Sequence, residues 1–324
     1  MARGEAKGEF GVIAKVFAPL ALHPGAFGLR DDAAILPRKS GLDLVVTTDA
    51  IVEGVHFLPS DPPDLVARKL LRVNVSDLAA KGARPAGYFL TTAFPRAAAA
   101  RTATAFGRGL AKDQKAFGLA LFGGDTVVTP GPQSYSCTMF GYAPRGRILR
   151  RAGAKPGDDL WVTGTIGDSG AGLALFQHHL KAGGVDAEWL KRRYQIPEPP
   201  CNFGLGLVGL ASAAMDVSDG LLQDAGHLAH ESGVALSLSL PSVPLSPQIV
   251  RVMGDTRETR LAAIVAGDDY QILFAAPSRK RPAIEALAAK YIVRVSRIGA
   301  AESGAGVKVL DERGRKAKVD RAGY

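Results

Sequence analysis

Three features of the sequence predict an α/β (α+β) protein of two domains. Short β-branched or apolar runs alternate with stretches of helical apolar spacing, and acidic and glycine residues recur where those runs end. A Pro/Gly/Arg-rich connection near residues 145–154 then divides the chain, which places the domains at 1–147 and 148–324. With 324 residues, 47% of them hydrophobic and 22% charged, the chain is long enough to bury two cores.

Taken in order, residues 9–18 (EFGVIAKVFA) have helical spacing and end at Pro19. The stretch GLRDDAAILPRKSGLDLVVTTD reads as two apolar strands joined by the turn Pro37–Gly41, with Asp31 and Asp32 before the first and Asp49 after the second. Asp61-Pro62-Pro63-Asp64 starts a helix that stops at Gly82. Within it Asn74 and Asp77 share a face, and Asp77 lies among apolar neighbours where a solvated acid is less expected. Residues 86–92 read as a strand, 96–117 as an Ala-rich helix, LALFGGDTVV as a strand entering a Gly123-Gly124-Asp125 turn, and YSCTMFGYA as a further strand.

The second half opens with a strand, the turn Gly164–Gly167 and a helix. MDVSDG (215–220) is expected between two helices, VALSLSLP as a strand, and AAIVAGDDYQILF (262–274) as strand, acidic turn and strand. Residues 283–290 read as helix, and 291–310 hold two short strands.

Several chemistries are excluded or disfavoured. No apolar run reaches the ~20 residues of a membrane helix, and the first residues lack the apolar core of a secretory signal. Cys137 and Cys201 have no metal-ligand spacing and read as reduced thiols, which places the protein in the cytoplasm. The net charge of +9 invites nucleic acid, but the basic residues are dispersed and no aromatic-basic signature accompanies them; such a field equally suits a small phosphorylated substrate. There is no P-loop. The formal G-x-G-x-x-G at Gly204, Gly206 and Gly209 follows Pro199-Pro200 rather than a strand. His178-His179 and His227/His230 lack acidic companions at zinc spacing.

A repeated device remains: Asp31-Asp32, Asp49, Asp77, Asp125, Asp216, Asp219 and Asp268-Asp269 are acids at element ends beside glycine, Asp77 alone being helical. For any one of them a solvated surface turn is the plainer reading. Together they matter, because two carboxylates ~4 Å apart repel by roughly 4 kcal/mol at an effective dielectric of 20. If they converge, cations must hold them, and an all-oxygen donor set points to Mg²⁺ and phosphoryl transfer.

In chain order the motifs GEFGVIAKVF, DDAAIL, TTDAIVEGVHF, VNVSDLAAKGARP, GGDT, GRILRRAGAKPGD, VTGTIGDSGAGL, MDVSDGL and GDDYQILF resemble those of the thiamine-monophosphate kinases, in the aminoimidazole ribonucleotide synthetase-like superfamily. The resemblance implies that superfamily's two-domain fold, a homodimer paired through the N-terminal domain, and Mg²⁺-assisted transfer of phosphate from ATP to thiamine monophosphate, with no nucleic-acid or membrane partner. It further implies Asp32, Thr47, Thr48, Asp49, Asp77, Asp125, Asp216 and Asp219 as ligands of several Mg²⁺ ions. Gly124, Asp125, Arg151 and Ser218 would contact ATP, and His56 and Asp268 the thiamine phosphate. No side-chain base is implied, since a phosphate monoester is already a nucleophile. The chain departs from the family at Arg30 (usually Gly), Asp268 (usually Glu), Lys81 (usually Met) and Arg321 (Trp in some members). The alternatives are another ATP-dependent enzyme of this superfamily acting on a different small phosphorylated substrate, or a non-catalytic nucleotide-binding protein. The expected architecture sets the Asp31, Asp49, Asp77 and Asp125 ends against the Asp216–Asp219 loop.

Overall fold

In the structure, a computed structural model that describes residues 9–30 and 33–319, the N-terminal apolar stretch is not one helix. A short α1 (Glu9–Val12) continues as a π-helical turn (Ile13–Phe17) and a 3-10 turn (Ala18–Leu20), because Pro19 has no N–H to extend an α-helical ladder. The strand expected before Pro37 does not form either. Residues 33–39 are irregular: Ile35 donates its N–H to Gly25 O (2.8 Å), and its side chain is exposed. Asp31 and Asp32 lie outside the described residues, as does the C-terminal Arg321–Tyr324.

The chain divides into two units. The first comprises Met1–Leu78 and Arg84–Arg145, the second Ala79–Ala83 and Gly146–Tyr324. The first carries a four-stranded sheet in the order β1-β4-β2-β3. β1 (Leu42–Val52) pairs antiparallel with β4 (Ser134–Pro144), which pairs antiparallel with β2 (Arg84–Pro95), which runs parallel to β3 (Ala120–Thr129). The parallel step requires a crossover, supplied by α3 (Ala99–Phe117). The other long helix, α2 (Pro63–Ala80), starts at the Pro-Pro-Asp signal.

A buried ion network ties α2 to α3. Asp113 (0% exposed) accepts from Arg68 Nε at 3.0 Å and from Arg72 Nε and Nη2 at 2.6 and 3.1 Å. Tyr135, Phe94 and Phe106 pack their rings between sheet and helices, with centroids 4.4 to 5.7 Å apart.

The second unit has a six-stranded mixed sheet, β10-β7-β9-β5-β8-β6. Its strands are β5 (Asp158–Thr163), β6 (Ala213–Asp216), β7 (Ala235–Ser239), β8 (Ile272–Pro277), β9 (Val295–Glu302) and β10 (Gly306–Leu310). Its helices are α4 (Asp168–Phe176), α5 (Gly184–Gln195), α6 (Cys201–Gly206), α7 (Leu221–Ser232), α8 (Pro247–Met253), α9 (Arg257–Val265) and α10 (Arg281–Tyr291). Leu160, Val162, Leu236, Leu238 and Leu273 are fully buried, and each such side chain contributes about 1.5–3 kcal/mol by leaving water. Two expectations change here. MDVSDG begins inside the four-residue strand β6 rather than after a helix, and Ala262–Val265 closes α9 rather than forming a strand. The end of α2 also belongs to this unit: Lys81, just after it, donates from Nζ to Ala214 O (3.0 Å) on β6.

Candidate active site

In the first unit, Thr47 and Asp49 are two apart on β1 and so point to the same face, while Thr48 points to the other. Thr47 Oγ1 donates to Asp77 Oδ2 across to α2, which brings two of the predicted residues into contact. One turn earlier on α2 the fully buried Asn74 donates to Leu70 O (2.9 Å), and its Oδ1 has no hydrogen-bond partner among the described residues. Asp49 sits opposite Cys137, whose thiol is pushed up first by burial and then by the Asp49 charge. Thr48 Oγ1 lies 3.1 Å from Thr138 Oγ1 on the exposed face.

Gly123, Gly124 and Asp125 do not form a turn; they lie inside β3. Gly124 is there because nothing larger fits: a Cβ would stand 1.8 Å from Leu90 O, and its φ of 156° is close to glycine-only. Asp125 is exposed and its Oδ1 accepts from Thr126 N (2.9 Å). The strand register runs Asp49–Cys137–Leu90–Gly124 straight across the sheet. Three steps of ~4.8 Å therefore separate Asp49 from the Gly124–Asp125 pair by about 14 Å along the sheet, and Asp125, one residue on, faces the opposite side. Beside β3 lies a cavity of about 830 Å³ walled by Phe17, Leu29, Phe89 and Phe122, with Arg30, Gly124 and Asp125 also on its lining.

His56 lies in the tight turn after β1. Its Nδ1 accepts from Val52 N (3.1 Å), and the buried Lys69 donates from Nζ to His56 O (2.8 Å), so the turn is fixed while the ring stays exposed.

In the second unit, Asp216 ends β6, and Ser218 and Asp219 occupy the loop into α7. That loop is knitted to the acidic segment before β8. Val217 N donates to Gln271 O (2.8 Å), Tyr270 N to Val217 O (2.7 Å) and Asp268 N to Ser218 O (2.8 Å). Asp268 has φ 68° and accepts from Tyr270 Oη (3.0 Å). Asp269 is a structural group: it is buried, and its carboxylate accepts from Gly167 N (2.7 Å) and Ser169 N (3.4 Å), which shapes the turn into α4. Burial, and then the neighbouring Asp168, raise its pKa. Arg151 is exposed; its carbonyl accepts from Ser232 Oγ (3.0 Å).

Two residues beside this loop escape a reading of the sequence. Asp224, 1% exposed on α7, accepts from Ser218 N and Asp219 N, and burial together with the Asp216 and Asp219 charges pushes its pKa up to about 7. His227 lacks acidic companions at zinc spacing along the chain but has two in space: Asp219, Asp224 and His227 each offer a ligand atom, all within 4.8 Å of one another. The readable signal is Asp224 and His227 three apart on a helix, one face, just after an acidic loop.

Residues 30–143 match the family described as AIR synthase related protein, N-terminal domain, and residues 155–312 match its C-terminal domain. The thiamine-monophosphate kinase of Caulobacter vibrioides is 44% identical over 321 residues, covering 98% of this chain and 90% of that protein. The crystal structure of thiamine-monophosphate kinase from Stenotrophomonas maltophilia K279a superposes with a TM-score of 0.82 at 40% identity, over 89% of this chain and 91% of that one. AaThiL, solved in complex with AMPPCP and TMP, superposes with a TM-score of 0.77 at 29% identity, over 100% and 98% of the two chains. The chain belongs to the AIR synthase related family, and within it to the thiamine-monophosphate kinases.

Proposed function

We propose that the chain transfers the γ-phosphoryl group of ATP to thiamine monophosphate, releasing ADP and thiamine diphosphate. The observation that carries this reading is the 44% identity to a thiamine-monophosphate kinase along 98% of the chain. The complex of AaThiL with AMPPCP and TMP supports the same pair of substrates here. In the transfer, an oxygen of the thiamine monophosphate phosphate forms the new P–O bond as the bond from the γ-phosphorus to the β-bridging oxygen breaks. The acceptor oxygen is already anionic, so the protein's task is positioning and charge.

Thr47, Thr48, Asp49, Asp77 and Asp125 in the first unit, and Asp216 and Asp219 in the second, offer only oxygen donors, which suit hard divalent cations such as Mg²⁺; Asp49 and Asp125, about 14 Å apart on opposite faces, would serve different ions. Such ions, when bound, would offset the charge on the approaching phosphates. Asp32 belongs to the same proposed set by its place in the motif. The cavity beside β3 has apolar aromatic walls suited to a nucleobase, with Gly124 and Asp125 at the phosphate end. Ser218 and Arg151 are assigned to ATP, and His56 and Asp268 to thiamine monophosphate.

The chain acts as a homodimer in this reading. β1 is an edge strand of eleven residues, and Leu44 and Val46 on its outer face are 47% and 56% exposed. A long edge with exposed apolar side chains favours a covering partner, here a second copy. The free cysteines suit a reducing cytoplasm.

The test is ATP consumption with and without thiamine monophosphate, with chromatographic detection of thiamine diphosphate. Stoichiometric ADP and thiamine diphosphate are expected. ADP formation that ignores thiamine monophosphate refutes the assignment.

A further inference from the structure

We propose that Asp224 is a positioning residue for the Asp216–Asp219 loop, acting through one carboxyl oxygen as a hydrogen-bond acceptor. It sets the direction in which Ser218 and Asp219 are presented to phosphate and cation. The inference rests on reading that loop as a phosphate- and cation-binding segment, as proposed for this chain's function.

The N–H groups of the loop lead to Asp224. On one side the loop is paired with residues 268–271, which takes up Val217 N, Val217 O and Ser218 O. That leaves the N–H groups of Ser218 and Asp219, and an unpaired N–H in a protein interior is rare because it is costly. Both donate to the same atom, Asp224 Oδ2, at 2.9 and 3.1 Å. Asp224 is the fourth residue of α7, and helical side chains lean toward the helix N-terminus, so it reaches back over the loop. Its own N–H donates to Gly220 O (3.0 Å), which locks the loop to the first helical turn. The preceding residue completes the device: Gln223 Nε2 donates to Asp219 Oδ2 (3.0 Å), steering the Asp219 carboxylate.

Asp224 is 1% exposed, a poor place for a ligand that must meet incoming phosphate but a good one for a support. Because both bonds converge on one oxygen, an amide oxygen in that position can accept both.

The experiment compares Asp224→Asn, Asp224→Ala and Asp219→Asn, each as the full chain. Amide exchange at Ser218 and Asp219 is followed by NMR without metal, and Mg²⁺ titration of turnover gives half-saturation and maximal rate separately. Asp224→Ala should speed exchange at both amides at least ~10-fold, through loss of their acceptor. It should also raise the Mg²⁺ half-saturation at least ~10-fold, because a displaced ligand binds in the wrong geometry. Asp224→Asn should keep the two amides within ~3-fold of wild type and restore most of the Mg²⁺ response. Asp219→Asn should lose the Mg²⁺ response with its amides still protected.

If Asp224→Asn exchanges fast, or loses Mg²⁺ as severely as Asp219→Asn, then Asp224 acts by its charge as a ligand and the proposal is overturned. Wild-type exchange in Asp224→Ala overturns it as well. Should Asp224→Ala not fold, the Asp224→Asn amides alone decide. An unchanged Mg²⁺ response in Asp219→Asn would refute the reading of the loop as a cation site, and the exchange data would still judge Asp224.

Discussion

Substituting Gly124 with alanine separates two reasons for a glycine at that position. By resemblance Gly124 contacts ATP; by geometry it is the only residue that β2 and β3 tolerate there. The added methyl would lie 1.8 Å from Leu90 O and 2.7 Å from Leu90 C, both backbone atoms that no rotamer change can move aside. An ordinary C···O approach is about 3.3 Å, so the strands must part by ~1.5 Å. Overpacking of this kind costs typically 1–3 kcal/mol, and the lack of any flexible neighbour puts this case near ~3 kcal/mol. For a unit of this size that lowers the melting temperature by roughly 10 °C.

The strand shift also carries Asp125, the next residue. With Asp125 as the proposed cation ligand, a ~1 Å displacement costs on the order of 100-fold in rate. Gly123→Ala is the control, since its methyl meets only the Phe89 ring, at 3.2 and 3.3 Å, on the opposite face. Calorimetry and steady-state kinetics on both variants test this. A melting temperature for Gly124→Ala within ~2 °C of wild type, or no difference from Gly123→Ala, refutes the steric reasoning.

Asp49→Asn and Asp125→Asn should each lower turnover at least ~100-fold with the fold intact, because removing an electrostatic interaction that stabilises a transition state costs ~3 kcal/mol or more; near-wild-type turnover with Mg²⁺ would make these acids structural. Asp268→Glu should shift the KM for thiamine monophosphate and leave that for ATP in place, although φ 68° suits Asp better than Glu and a slightly lower melting temperature is expected. Asp113→Ala removes the buried carboxylate to which both Arg68 and Arg72 donate and should destabilise the protein by ~3–5 kcal/mol in chemical denaturation, with KM values unchanged where the variant is folded.

Much of the fold was legible because its longer elements announce themselves. The Pro-Pro-Asp start of α2, the Ala-rich α3 and the β-branched β1 all carry strong local signals, and the structure agrees with them. The misreadings share a cause: local chemistry pointed one way and tertiary packing another. Two glycines in a row suggest a turn, yet Gly123 and Gly124 lie inside β3, and Gly124 marks a close approach of two strands. The run Leu261–Val265 has strand composition. Its helix is set five residues earlier, where Thr256 Oγ1 caps Thr259 N at 3.1 Å. β6 is four residues of mostly alanine and methionine, too short for any period, and exists because β8 supplies its partner.

The acids show the same limit in chemical form. In sequence, Asp268 and Asp269 are indistinguishable neighbours, as are Asp219 and Asp224 in their glycine-flanked helix start. Backbone N–H groups divide them. Asp269 takes those of Gly167 and Ser169, and Asp224 those of Ser218 and Asp219, so each is spent on holding a loop. The carboxylates proposed to meet ligands sit on or beside those loops: Asp219 on the one held by Asp224, Asp268 next to Asp269. An acid-rich motif can therefore hold supports as well as proposed ligands, and the count of backbone donors around Asp224 and Asp269 marks those two as supports. That count depends on how β6, α7 and the segment before β8 come together, which no spacing along the chain encodes.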